Sequence, residues 1–196
     1  MTPQEVIANF ILTWEGGLSL HKSDTGNWVN GKLIGSKYGV TAAALAGARG
    51  VPVASITAPV MAALTIQEAA AIGMAKYYLG PRLNLLPWNR VTASLLDMGW
   101  GAGPVQAIKL WQRMIGVPDD GKVGPATAAA TKAYIGKHGE DLVAVQWAFI
   151  RANFYADITE RNPANVAFLN GWFARTEYFT PTAAPRAKGW WDRWQR

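Results

Sequence analysis

A chain of 196 residues, half of them hydrophobic and only 16% charged, is long enough to bury a core and too apolar to stay disordered. It has no cysteine, which excludes disulfides and thiolate-bound metal, and its two histidines, His21 and His138, are too few to point to zinc. A net charge of +6 predicts an anionic partner without choosing among nucleic acid, anionic lipid and bacterial envelope.

The first element expected is a helix over 3–15. Thr2 is placed as its N-cap, Pro3 at its first position and Glu5 as the return partner of a capping box. Val6, Ile7, Phe10, Ile11 and Trp14 fall on one face, and Gly16-Gly17 stops the run. This start lacks the basic region and cleavage site of a signal peptide. The expectation is a protein made in the cytoplasm that reaches its target by another route.

Asn30-Gly31, between short β-favouring runs, predicts a two-residue hairpin within 27–34. "YGVTAAALAGARG" returns to a helical pattern. "TIQE", 65–68, reads as a second capping box, opening a helix that Gly80-Pro81 ends. Gln67 and Glu68 interrupt the long apolar stretch 56–74, which argues against a membrane span. Further helices are expected at about 89–100, 104–115, 125–135, 139–161 and 164–178, with Pro104 and Pro125 at first-turn positions. The sum is a mainly α protein with one small hairpin near its N-terminus.

Chemistry concentrates in "TWEGGLSLHKSDTGNW", 13–28. A carboxyl at a helix C-terminus meets partial negative charge, and an adjacent indole adds desolvation; both raise its pKa and favour a retained proton. Glu15 beside Trp14 is so placed, although from the motif alone a solvated glutamate at a helix end is the favoured reading. Asp24 is either a second working carboxylate or an Asx-turn residue before Gly26. Asp97, beside Leu95, Leu96 and Met98, is either a buried structural acid or a cleft residue, the structural reading being favoured. "DDGKVG", 119–124, lacks the closing glutamate of a calcium loop and reads as a turn, so no metal site is expected. Trp111 and Trp147 fall within apolar helix faces and are assigned to the core.

With "WEGG", "SDTGN" and "SKYGVT" in this order, the chain resembles the glycoside hydrolase 108 family of phage and bacterial N-acetylmuramidases, and its helix, glutamate, loop and hairpin follow the order of lysozyme-like folds. It keeps Glu15, Gly16, Gly17, Asp24, Gly26, Tyr38, Gly39 and Thr41 of the family pattern, and departs with Asn27 for a glycine, Ser36 for a threonine and a longer hairpin. Residues 95–127, with Arg151, Tyr155, Gly171, Trp172 and Arg175, resemble the peptidoglycan-binding region of the same proteins.

The resemblance implies a catalytic region over 1–90 and a peptidoglycan-binding-like region over 91–180, followed by a basic, tryptophan-rich tail over 181–196. It implies a monomeric endolysin that cleaves the β-1,4 bond between N-acetylmuramic acid and N-acetylglucosamine, with peptidoglycan and not nucleic acid as its partner. Glu15 becomes the general acid, and Asp24 a second catalytic candidate. Ser36, Tyr38 and Thr41 become candidates to hold water or sugar, with Trp28 the cleft-facing indole. No cofactor is implied. The rival expectations are a lytic transglycosylase and a non-catalytic binding module. In the tail, Arg186, Lys188, Arg193 and Arg196 against Asp192 accompany Trp190, Trp191 and Trp194. That mixture suits an anionic lipid or lipopolysaccharide surface, or else the indoles fold back onto the domain.

Overall fold

The computed structural model describes residues 2–14, 16–22 and 24–181 of the chain. It divides into two compact units, the first ending at Gly80 and the second beginning at Pro81. Among the described residues both are mainly helical, and only the first carries strands.

The first unit opens with α1, Pro3–Trp14. The predicted capping box is complete: the Glu5 amide donates to Thr2 Oγ1 at 3.2 Å, and the Thr2 amide donates to Glu5 Oε2 at 2.7 Å. Val6, Ile7, Phe10 and Ile11 are buried, as their helical spacing requires. Five short strands follow: β1, Leu18–Ser19; β2, Trp28–Val29; β3, Lys32–Leu33; β4, Ser36–Lys37; and β5, Val40–Thr41. The predicted hairpin is β2–β3, with Asn30 and Gly31 both at positive φ, 48° and 74°. A second sheet, unforeseen, runs antiparallel in the order β1-β4-β5.

The β4–β5 connection corrects the helical reading of residues 38–41. Lys37 pairs with Val40 across a two-residue turn in which Tyr38 and Gly39 both have positive φ, 56° and 73°. This is the turn chemistry of Asn30-Gly31 again, with tyrosine where asparagine is usual. The helix begins only afterwards, as α2, Ala42–Arg49, capped by Thr41. Next come α3, Ala58–Ala62, and α4, Ile66–Gly73. Thr65 caps α4, but Glu68 turns to Arg49 at 2.7 Å instead of closing the second capping box. Beyond Gly73 the helix widens into a π turn, Met74–Leu79, ending where the Gly80 amide donates to Ala75 O. Packing of α1 on α4 closes the unit around Ile7, Ile11, Leu45, Met61 and Leu64. Each such fully buried side chain contributes roughly 1.5–3 kcal/mol.

The second unit holds α5, Arg90–Ala102; α6, Pro104–Ile115; α7, Pro125–His138; α8, Glu140–Arg161; and α9, Val166–Tyr178. Pro104 and Pro125 occupy first-turn positions, as predicted. Every residue from Val91 to Gly99 is buried, which makes α5 the central helix, packed by α6 and α8. Trp111 and Trp147 are fully buried in this core with ring centroids 5.6 Å apart, edge to face. The Trp111 indole N–H donates to Thr131 Oγ1 at 2.9 Å. No described helix is long and apolar enough to cross a membrane.

Candidate active site

The loop before β2 is folded by its own side chains. Asp24 caps a short 3-10 turn, Thr25–Asn27, and its Oδ1 accepts from the Gly26 amide at 2.9 Å. The predicted Asx-turn geometry is therefore present, yet Asp24 is exposed, so a carboxylate shaping the loop is also open to solvent and ligand. Asn27, fully buried, donates from Nδ2 to His21 O, and its carbonyl accepts from the Ile34 and Gly35 amides. Its Oδ1 is buried with no hydrogen-bond partner among the described residues. The Trp28 indole N–H donates to Lys22 O at 2.9 Å while 40% of the residue stays exposed, an apolar face pinned to the loop that carries Asp24.

Gly26 brings that loop against the sheet. A Cβ added there would lie 3.1 Å from Thr41 Cγ2 and 3.2 Å from Asp24 Oδ1, so the absence of a side chain lets Asp24 and Thr41 converge. In the sheet, Ser19 pairs with Ser36 and Ser36 with Thr41. Directly opposed residues project to the same face, so three half-buried hydroxyl residues form one transverse row. Ser36 and Thr41 were expected; Ser19 was missed, because a two-residue strand carries no periodic signal. Thr41 Oγ1 already accepts from the Ala44 amide at 3.3 Å, which leaves its hydroxyl proton to be donated elsewhere.

Tyr38 stands apart from this row, at the tip of the β4–β5 turn. The Lys37 ammonium lies 4.9 Å from its ring centroid and donates to Ala62 O, tying the turn to the end of α3. A tyrosine at φ 56° is strained where glycine would not be, and such strain accumulates at functional sites. The structure thus brings Asp24 and the Thr41 methyl group together at Gly26, sets Ser36 beside Thr41 in the sheet, and separately positions Trp28 and Tyr38 on two turns. Glu15 lies outside the described residues, between the end of α1 at Trp14 and the start of β1 at Leu18. The tail residues Arg186, Lys188, Trp190, Trp191, Arg193 and Trp194 also lie outside them.

The second unit encloses a different charged cluster. Asp97 is fully buried and accepts from Arg151 Nη2 at 2.5 Å and from Arg175 Nη2 at 2.6 Å. Arg151, itself fully buried, also donates to Ser94 Oγ at 2.7 Å and to Ser94 O at 3.2 Å. Tyr155, four residues on, stacks against Trp172 with centroids 5.1 Å apart. Asp97 is thus a structural acid, the reading its apolar neighbours favoured. In the 119–124 loop, Asp119 pairs with Arg113, and Asp120 Oδ1 accepts from Gln112 Nε2 and the Lys122 amide. Those bonds hold both carboxyls below the usual carboxylate range, Arg113 acting on Asp119 and Gln112 on Asp120. The residues form a side-chain-locked turn. Among the described residues no cluster of three metal-ligating side chains occurs.

Residues 8–103 match the family model described as Glycosyl hydrolase 108, which places the chain among the glycoside hydrolases. Residues 106–177 match the one described as Predicted Peptidoglycan domain, making peptidoglycan its partner. The chain belongs to the glycosyl hydrolase 108 family, with the peptidoglycan domain following the hydrolase segment. The fold is similar to a solved structure titled "Structure of Brucella abortus SagA", with a TM-score of 0.63 and 23% identity over 92% of this chain and 99% of that one. No curated protein matches the chain.

Proposed function

We propose that this glycoside hydrolase is an N-acetylmuramidase, an endolysin that hydrolyses the β-1,4 bond between N-acetylmuramic acid and N-acetylglucosamine in peptidoglycan and so lyses bacterial cells. The observation that carries the reading is the succession, in one chain, of a hydrolase segment and a peptidoglycan domain. In this scheme Glu15 protonates the glycosidic oxygen as the bond breaks. Asp24 steadies the positive charge developing on the sugar, or orients the attacking water. Ser36 and Thr41, with Ser19 in the same row, hold that water or a sugar hydroxyl. The exposed face of Trp28 and the ring of Tyr38 take the apolar faces of the flanking sugars. Two carboxyl groups suffice for this chemistry, so the scheme needs no cofactor.

The region assignment 1–90, 91–180 and 181–196 belongs to the same proposal. So do a monomeric state, synthesis in the cytoplasm of a phage-infected or bacterial cell, and action on the wall from the periplasm. The tail's clustered cations and indoles suit transient attachment to anionic lipid or lipopolysaccharide. Removing 181–196 would then weaken binding to anionic vesicles; unchanged binding discards the anchor.

The test is Glu15→Gln, which preserves size but removes the transferable proton. Lysis of outer-membrane-stripped cells should fall at least roughly 10²-fold with the circular dichroism spectrum unchanged. Substantial lysis by the folded variant defeats the assignment. Fragments released by the parent should carry reducing muramic acid ends; a predominance of anhydro ends would make the enzyme a lytic transglycosylase instead.

A further inference from the structure

Gln106, Leu110 and Arg113 recur at intervals of four and three residues along α6, and so share one face of that helix. Asn153, Phe154, Asp157 and Arg161 do the same on α8. Both faces line one open cleft of about 480 Å³, with Ile150 completing its apolar part. All of it falls inside residues 106–177, the segment matched to the peptidoglycan domain, and it shares no residue with the sheet-borne site of the first unit.

The lining is mixed in a specific way. Leu110, Ile150 and Phe154 give an apolar wall with one aromatic ring, which suits the C–H face of a pyranose. Gln106 and Asn153 bring two carboxamides, each able to donate and accept at once, as an acetamido group also does. Arg113 and Arg161 line the cleft with Asp157, and Asp119 pairs with Arg113, so the charges at its rim balance. The pairs, Arg113 with Asp119 at 2.5 Å and Arg161 with Asp157 at 3.9 Å, are exposed, so they contribute little to the fold and leave the rim polar. The volume falls within the range of roughly 300–1,000 Å³ usual for ligand clefts.

We propose that the cleft between α6 and α8 binds the glycan strand of peptidoglycan, taking N-acetylated hexosamine units against Phe154 and the carboxamides of Gln106 and Asn153. The proposal rests on the peptidoglycan reading above and assigns this chain a second saccharide site, remote in sequence from Glu15. It retains the enzyme on its polymer between cleavage events.

The experiment is co-sedimentation of the full chain, carrying Glu15→Gln so that the polymer survives, with purified sacculi. Asn153→Ala and Gln106→Ala should each weaken sacculus binding about fivefold, the loss of one net hydrogen bond, with unchanged circular dichroism. The exposed Arg161→Ser serves as a third variant, and Lys132→Ala on α7 should bind like the parent. Soluble N-acetylglucosamine oligomers should compete, and free stem peptide should not. Folded cleft variants that bind like the parent overturn the proposal, as does competition by stem peptide alone. If native protein digests sacculi while the Glu15→Gln protein fails to sediment with them, the cleft assignment falls and the hydrolase reading stands. If it neither digests nor binds them, both fall.

Discussion

The carboxylate of Asp97 meets the guanidinium of Arg151 at 2.5 Å with neither side chain exposed, although 54 residues separate them. Arg175, 78 residues from Asp97, completes the arrangement at 2.6 Å. One buried carboxylate therefore compensates a fully buried guanidinium and a second one only 15% exposed. Removing the acid leaves charge stranded in a low-dielectric interior. Asp97→Ala should cost about 3–5 kcal/mol in urea unfolding. A variant of parental stability would remove this cluster from the account of the fold.

Asp24 serves as loop cap and candidate acid together, and two substitutions separate these roles. Asp24→Asn retains an oxygen to accept from the Gly26 amide but loses the charge. It should keep the parental melting temperature while hydrolysis falls roughly 10²-fold. Asp24→Ala loses the cap as well and should cost about 1 kcal/mol of stability in addition. Full hydrolysis by the Asn variant would leave Asp24 with the turn alone.

Gly31 and Gly35 both have positive φ, 74° and 88°, but in different surroundings. A Cβ at Gly31 meets nothing within 4 Å, whereas at Gly35 it would lie 2.6 Å from the Ser19 carbonyl oxygen. Gly31→Ala should therefore cost only the backbone term of about 1–2 kcal/mol. Gly35→Ala adds overpacking against β1 and should cost about 2–5 kcal/mol, as read by denaturant melts. Equal losses at both positions would contradict the packing of residue 35 on Ser19.

Acid should weaken the first unit in a predictable sense. Hydrogen bonding from Arg49 holds the Glu68 carboxyl below its ordinary value, against a smaller opposing effect of burial. A carboxyl depressed in the folded state contributes stability above its unfolded pKa and loses it as pH falls through the folded one. The melting temperature should thus fall on the acid side of the ordinary carboxylate range. Glu68→Gln, or high salt, should flatten that dependence. An unaltered acid limb in Glu68→Gln would remove this pair from the response.

Where local chemistry decides an element, the sequence displayed it. The Thr2/Glu5 box, Asn30-Gly31 and the first-turn prolines Pro104 and Pro125 all read correctly because each involves residues within four positions. Tyr38-Gly39 reads as helix in the sequence because the alanine-rich run behind it masks a turn whose first residue is an unusual one for positive φ. Strand β1 leaves no trace in the sequence because two residues have no period, and Ser19 is hidden with it. Asp24, Ser36 and Thr41 are legible as candidates, but the approach of Asp24 to Thr41 depends on the space at Gly26, and the pairing of Ser36 with Thr41 on sheet register. The partners of Asp97 were beyond reach, since no spacing rule pairs residues 54 and 78 positions apart.

The segment matched as Glycosyl hydrolase 108 runs to residue 103 and so includes α5, whereas the compact units part after Gly80. The piece of chain matched as a hydrolase consequently extends beyond the piece that packs as one body. A recombination joint near residue 104 would carry Asp97 away with one parent and leave Arg151 and Arg175 with the other. A joint at Gly80-Pro81 would keep all three together. A hydrolase segment grafted at residue 104 would therefore have to arrive with an acid that fits the resident arginines.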